Sequence, residues 1–261
     1  MRKALACLAL VALVACSRAS PTPSSTSQPG SQPNPTEALG GSITVLAASS
    51  LTDAFNEMGR QFQAAHPGIA ISFSFGASST LAQQLNAGAP ADVLATADEP
   101  TMQVAVTGGS VTTPTVFAHN RLSILVAKGN PNNVRTLADL ARPGLIVVLC
   151  AAEVPCGRFG RQALDKAGVK VTPKSLEANV RGVVSKVTLG EADAGIVYVT
   201  DVRVAGSTAE GVSIPNEQNV LATYPIATVK TAKNARLAEA FVAYVRSPDG
   251  RQILAKAGFE A

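Results

Sequence analysis

Tryptophan is absent, histidine occurs only at His66 and His119, and aromatic residues make up 4% of the chain. With two distant histidines and no cysteine spaced beside either, the chain lacks the ligand spacing of a transition-metal site. No G-x-S-x-G elbow occurs and neither histidine has a triad-like context, which weighs against a serine hydrolase, the alternative from another functional class. Charge of either sign is also in short supply, at 15% of residues. Lys and Arg number 22 against 18 Asp and Glu, a net charge of +4, and two of the positive residues, Arg2 and Lys3, open the chain. No basic run interleaved with aromatics remains, so nucleic acid is not an expected partner. After residue 16 there is no apolar stretch of membrane length.

What is present begins with "MRKALACLALVALVAC": a basic start, a short apolar run, then cysteine. That order predicts a signal peptide over 1–15, and "LVAC" looks like a bacterial lipobox, with Cys16 lipidated as the new N-terminus. Residues 16–41 are rich in Ser, Pro, Thr, Gln and Gly, too poor in large apolar side chains to offset ordering entropy, and read as a flexible tether. The mature protein is thus expected on the outer face of the cell membrane. Cys7 leaves with the leader and Cys16 carries lipid, so Cys150 and Cys156 remain, and an even pair in an oxidising compartment predicts a structural disulfide closing "CAAEVPC".

From residue 42 the pattern alternates. "SITVLAA" (42–48) reads as a buried strand, and Leu51, Phe55, Met58, Phe62 and Ala65 then share a helical face that Pro67-Gly68 ends. "IAISFSFGA" alternates as a strand, "STLAQQLNAGAP" is a short helix, and "ADVLATADE" holds a third strand. Further on, "NRLSILVAKGNP", "LIVVLC", "DAGIVYVTDV" and "TYPIATVKT" are strand-like. "LADLARPG", "CGRFGRQALDKAG", "NVRGVVSKVTLGEA" and the C-terminal "NARLAEAFVAYVRSPDGRQILAKAGF" are helical. The alternation predicts an α/β fold of two lobes, each a mostly parallel sheet flanked by helices. The lobes are expected over 42–120 plus 225–261 and over 121–224, with a ligand cleft between them.

Four helix starts carry the candidate chemistry: after Ser49-Ser50, at Ser78-Ser79, after Pro155, and at Asn179-Val180. The first N–H groups of a helix lack internal partners and carry partial positive charge, so such ends suit anions. Each serine has a plainer reading as an N-cap, and Ser50-Leu51-Thr52-Asp53 resembles a capping box. Asn179 is a plausible cap, and Tyr198 alone reads as a buried strand residue. Together, beyond the carboxyl ends of strands, Ser50, Ser78, Cys156, Val180 and Tyr198 would offer hydroxyls and backbone N–H groups without a cation.

"ITVLAASSLTDAF", "FGASSTLAQQLNAGAPADVLATAD", "VPCGRFGRQAL" and "ADAGIVYVTD" closely resemble the periplasmic molybdate-binding proteins of ABC importers, in order, over nearly all of residues 42–261. The resemblance implies a two-lobed type II binding-protein fold, no enzymatic activity and no cofactor. It also implies molybdate or tungstate as ligand and an ABC permease as partner, and a monomer is the natural expectation for a shuttle that must present two lobes. Matched motif to motif, Ser50 and Ser78 would supply hydroxyl and backbone donors, Cys156 and Val180 backbone N–H groups, and Tyr198 its phenol, with no direct metal-ion ligand. The residue after the proline in "VPxG" is often alanine in that family, whereas here it is Cys156. Glu153, in the same loop, would repel a dianion and is expected to face water. Sulfate or phosphate is the alternative ligand within this class.

Overall fold

The structure is a computed structural model describing residues 39–260. The expected signal peptide, the lipidated Cys16 and the tether up to residue 38 lie outside the described residues. The domain begins slightly earlier than residue 42: Leu39 packs against the core, and the Asn234 side chain donates to the Gly40 carbonyl at 2.7 Å.

The first half is built on three parallel strands. Strand β1 (Gly41–Ala48) lies between β2 (Ile69–Gly76) and β3 (Val93–Ala95). A short 3-10 turn, Ser49–Leu51, leads from β1 into helix α1 (Thr52–Ala65), which buries Phe55, Met58 and Phe62 as the spacing predicts, though Ala65 at its end is exposed. Helix α2 (Ser78–Asn86) follows β2, and α3 (Glu99–Thr107) follows β3. Lacking tryptophan, the core here is phenylalanine. The Phe55 ring meets Phe73, Phe117 and Phe241 at centroid distances of 6.2, 5.8 and 6.1 Å.

The second half repeats the plan. Strand β4 (Thr115–Ala127) enters it, and β5 (Val147–Cys150) pairs in parallel with β6 (Ser175–Glu177) and β7 (Ala194–Tyr198). Helix α4 (Pro155–Lys166) follows β5, α5 (Val180–Thr188) follows β6, and α6 (Val199–Ala205) follows β7. All four valines of α5 singled out by spacing, Val180, Val183, Val184 and Val187, are buried. Valine costs roughly 0.5 kcal/mol of helix propensity per residue, but burying its side chain returns about 1.5 kcal/mol or more. Packing therefore outweighs propensity, and Gly190, at φ +75°, ends the segment in a conformation other residues adopt poorly.

Strand β8 (Ala209–Ser213) joins the edge of β4, and β9 (Leu221–Thr228) returns the chain to the first half, where α7 (Ala235–Val245) and α8 (Pro248–Ala257) close it. The sheet runs β2-β1-β3-β9-β4-β7-β5-β6, with β8 beside β4. Each half thus has a parallel core, and the antiparallel strands β9 and β4 join them. Within β4, Thr115 to Arg121 pair with β9 whereas Leu122 to Val126 pair with β7, so one strand serves both halves.

Three elements, α3, β6 and β8, are absent from the sequence reading, and α6 appears there as the continuation of a strand. The run "VTDVRVA" is rich in β-branched residues, yet the strand stops at Tyr198 and a helix begins at Val199. The Asp201 carboxylate accepts the Tyr198 backbone N–H at 3.1 Å and so fixes the turn locally.

Candidate functional site

Strands β1, β2, β5, β6 and β7 finish on the same side of their half-sheets, and each leads within a few residues into a helix or helical turn. That arrangement brings Ser50, Ser78, Cys156, Val180 and Tyr198 around one small cavity of about 20 Å³, together with Ala97, Pro155 and Asn179. No charged side chain lines it. A space of that volume accepts the centre of a particle little larger than water, which selects for a compact ligand.

The serines do not cap their helices. Ser50 lies inside the 3-10 turn, α1 has no side-chain cap, and Ala77 rather than a serine precedes α2. The capping-box reading of Ser50 therefore fails. The Ser50 hydroxyl instead shares a 3.0 Å hydrogen bond with the buried Tyr224 hydroxyl on β9. The Ser78 hydroxyl accepts the Ala97 backbone N–H at 3.0 Å. That bond uses one lone pair of the oxygen and leaves its proton to give, so Ser78 is available as a donor. Ser79, its neighbour, lines a separate surface depression.

The remaining donors come from backbone and phenol. Asn179 caps α5 as expected, accepting from the N–H groups of Arg181 at 3.0 Å and Gly182 at 3.3 Å, which leaves the Val180 N–H for the cavity. Cys156 is the second residue of α4, where the N–H has no intrahelical acceptor. Its side chain is engaged in a disulfide with Cys150, across a Cα–Cα distance of 5.8 Å, as the cysteine count predicts. Gly157 is required next to it, because any Cβ there would collide with the Ala151 carbonyl oxygen. Glu153 is exposed and does not line the cavity.

The Tyr198 hydroxyl is the telling group. The residue is 1% exposed, and its hydroxyl has no hydrogen-bond partner among the described residues. A buried hydroxyl left unpaired costs about 1–3 kcal/mol, so its place in the cavity wall asks for an acceptor. Burial pushes its phenol well above the ordinary value, which keeps the proton in place for donation. Below it, burial raises the Asp201 carboxyl from 3.8 to about 6, opposed by the Arg181 guanidinium 3.5 Å away.

Three residues of this neighbourhood escaped the sequence reading: Tyr224, which holds Ser50; Ala97, which engages Ser78; and Asp201. Tyr224 is 174 positions from Ser50, and no local pattern connects them.

Two half-sheets with parallel cores, joined by antiparallel strands and meeting at a small, charge-free cavity beyond the strand ends, define a two-lobed α/β fold of the periplasmic-binding-protein kind. The chain belongs to the bacterial extracellular solute-binding protein family, whose profile matches residues 43–260. The molybdate-binding protein ModA of Mycobacterium tuberculosis is 43% identical over 248 residues, covering 95% of this chain and 92% of its own. Among solved structures, the Azotobacter vinelandii periplasmic molybdate-binding protein superposes with a TM-score of 0.74 at 22% identity, over 84% of this chain and 99% of its own. The sulfate-binding protein SubI of Mycobacterium tuberculosis superposes with a TM-score of 0.76 at 23% identity, over 84% and 86%. Those two likenesses bear on the fold alone. Among the described residues no helix is long and apolar enough to cross a membrane.

Proposed function

We propose that the protein captures molybdate, and tungstate as its near-equal in size, and delivers it to an ABC permease. The observation that carries this reading is the buried, unpartnered Tyr198 hydroxyl in a compact cavity lined also by serine hydroxyls and helix starts and by no charged side chain. In that site the Ser50 and Ser78 hydroxyls, the Cys156 and Val180 backbone N–H groups and the Tyr198 phenol surround a tetrahedral dianion. Each hydrogen bond to a charged oxygen contributes about 1.5–3 kcal/mol, and the starts of α4 and α5 add their dipoles. Neutral donors fixed before binding replace the ion's water shell without a buried cation.

The same geometry favours binding over catalysis. Ser78 accepts from a backbone amide and Ser50 meets a phenol, and neither contact is to a base. His66 ends α1 against the Phe62 ring, and His119 contacts Thr223. The lobes in this reading are 42–120 plus 225–261 and 121–224, a monomer anchored through lipid on Cys16 outside the cytoplasm.

Calorimetric titration with molybdate, tungstate, sulfate and phosphate tests the proposal. Heat from the first two alone is the expected result. Sulfate or phosphate binding with no molybdate heat would reassign the ligand, and silence with all four would refute an oxyanion site.

A further inference from the structure

Beside the cavity, two arginines cross from one half of the protein to the other. Arg158 lies on α4 and Arg181 on α5, both packed on the β5–β7 half. Arg158 donates through Nε to Asp98 Oδ2 at 3.0 Å, and Nη2 pairs with the same carboxylate and with Thr101 Oγ1 at 2.8 Å. Its Nη1 is fixed by the Glu153 carbonyl at 2.6 Å, so the guanidinium is aimed from its own side. Asp98 and Thr101 belong to the opposite half, at the start of α3, where Asp98 Oδ1 also accepts the Thr101 N–H. Arg181 reaches the start of α1, donating through Nε to the Ser49 carbonyl at 3.2 Å and pairing through Nη2 with Asp53.

The contacts lie within a few residues of the cavity wall in sequence. Arg158 is two residues beyond Cys156, Arg181 follows Val180, Asp98 follows Ala97, and Ser49 precedes Ser50. The pairs therefore form only when the two walls of the cavity are together; separation of the walls breaks them, while Arg181 keeps its pairing with the buried Asp201 within its own half.

We propose that Arg158 and Arg181 are closure latches: they touch no ligand but set how long the cavity stays shut, with Arg158 the dominant one. This rests on the function proposed above and adds which residues govern release. The difference between them follows from burial. The Asp98 side chain is 1% exposed, so in the shut form its charge has no solvent, and loss of Arg158 strands it. The Asp53 side chain is 59% exposed, and water replaces Arg181 there at little cost.

The test uses Arg158→Met and Asp53→Asn in the full chain, with molybdate as the probe. Calorimetry gives Kd, stopped-flow displacement gives the release rate, and hydrogen exchange without ligand follows residues 97–101 and 154–158. Arg158→Met is expected to weaken binding on the order of a hundredfold, mainly through faster release, and to speed ligand-free exchange in both segments. Asp53→Asn is expected to change Kd by less than about fivefold. Should Arg158→Met fail to fold, Asp98→Asn serves instead, since an amide oxygen still caps Thr101 while the charge is gone. Wild-type release and exchange rates in whichever of these variants folds would overturn the latch. If wild-type protein takes up no molybdate, the functional proposal fails, and the ligand-free exchange contrast still decides the latch by itself.

Discussion

Replacing Tyr198 by phenylalanine separates a ligand-binding hydroxyl from a structural one. The ring of Tyr198 is packed edge-on against Tyr224 at 6.1 Å, and phenylalanine preserves that contact. Only the hydroxyl is lost, and in the unliganded protein it bonds to nothing among the described residues. A donor to a charged oxygen is worth about 1.5–3 kcal/mol, so Kd for molybdate should rise roughly 10- to 150-fold. The unliganded protein loses no bond and sheds a buried unpaired hydroxyl, so its melting temperature should hold or climb by a few degrees. Calorimetry and thermal melts on the same preparation read the two quantities. A lowered melting temperature with unchanged Kd would refute the reasoning, because it would mean the hydroxyl holds the fold and not the ligand.

Ser78→Ala should behave differently, since it removes a ligand donor and also orphans the buried Ala97 N–H. Affinity is expected to fall about tenfold or more and stability by about 1–3 kcal/mol, and an effect on only one of the two, in paired titration and urea unfolding, would contradict the double role. Asp201 has a folded pKa of about 6 against an ordinary 3.8. Between those values the native state keeps a proton that the unfolded chain has released, so stability falls as pH rises through about 4 to 6, and the full deficit, on the order of 2–3 kcal/mol, persists above. Asp201→Asn should abolish that slope and gain most at pH 7; melting curves that stay parallel to wild type from pH 4 to 7 would count against it. Gly157→Ala forces a methyl group onto the Ala151 carbonyl and should cost about 1–3 kcal/mol or more, which denaturant melts can check, with a neutral result refuting the close approach.

Much of this was legible in sequence because its causes are local. The spacing of Phe55, Met58 and Phe62 and the four valines of α5 reports burial directly, and Asn179 caps as its position implies. Two cysteines left after the leader specify one bridge. The five candidate site residues do line one cavity, since each sits where a strand gives way to a helix, and that junction has a sequence signature. The misreadings have non-local causes. Ser50 looks like a cap until Tyr224, brought in by β9, takes its hydroxyl. Helix α6 looks like strand because β-branched propensity says so, whereas the Asp201 carboxylate decides otherwise. The arginine contacts to Asp98 and Asp53 join segments 60 and 128 positions apart, and no pattern of spacing encodes them.

The shared strand β4 has a mechanical meaning. Because Thr115 to Arg121 pair with β9 and Leu122 to Val126 with β7, the two halves are not beads on a string but two ends of one hydrogen-bonded ribbon. Turning one half against the other must wind that ribbon, much as a torsion bar is wound, and no ladder bond need break. The register irregularity between Val116 and Ala118 places extra local twist at one end of the bar. A joint of this kind spreads the strain over several residues and returns elastically. The amides of β4 should therefore be among the slowest to exchange among the described residues, even where such turning passes through them.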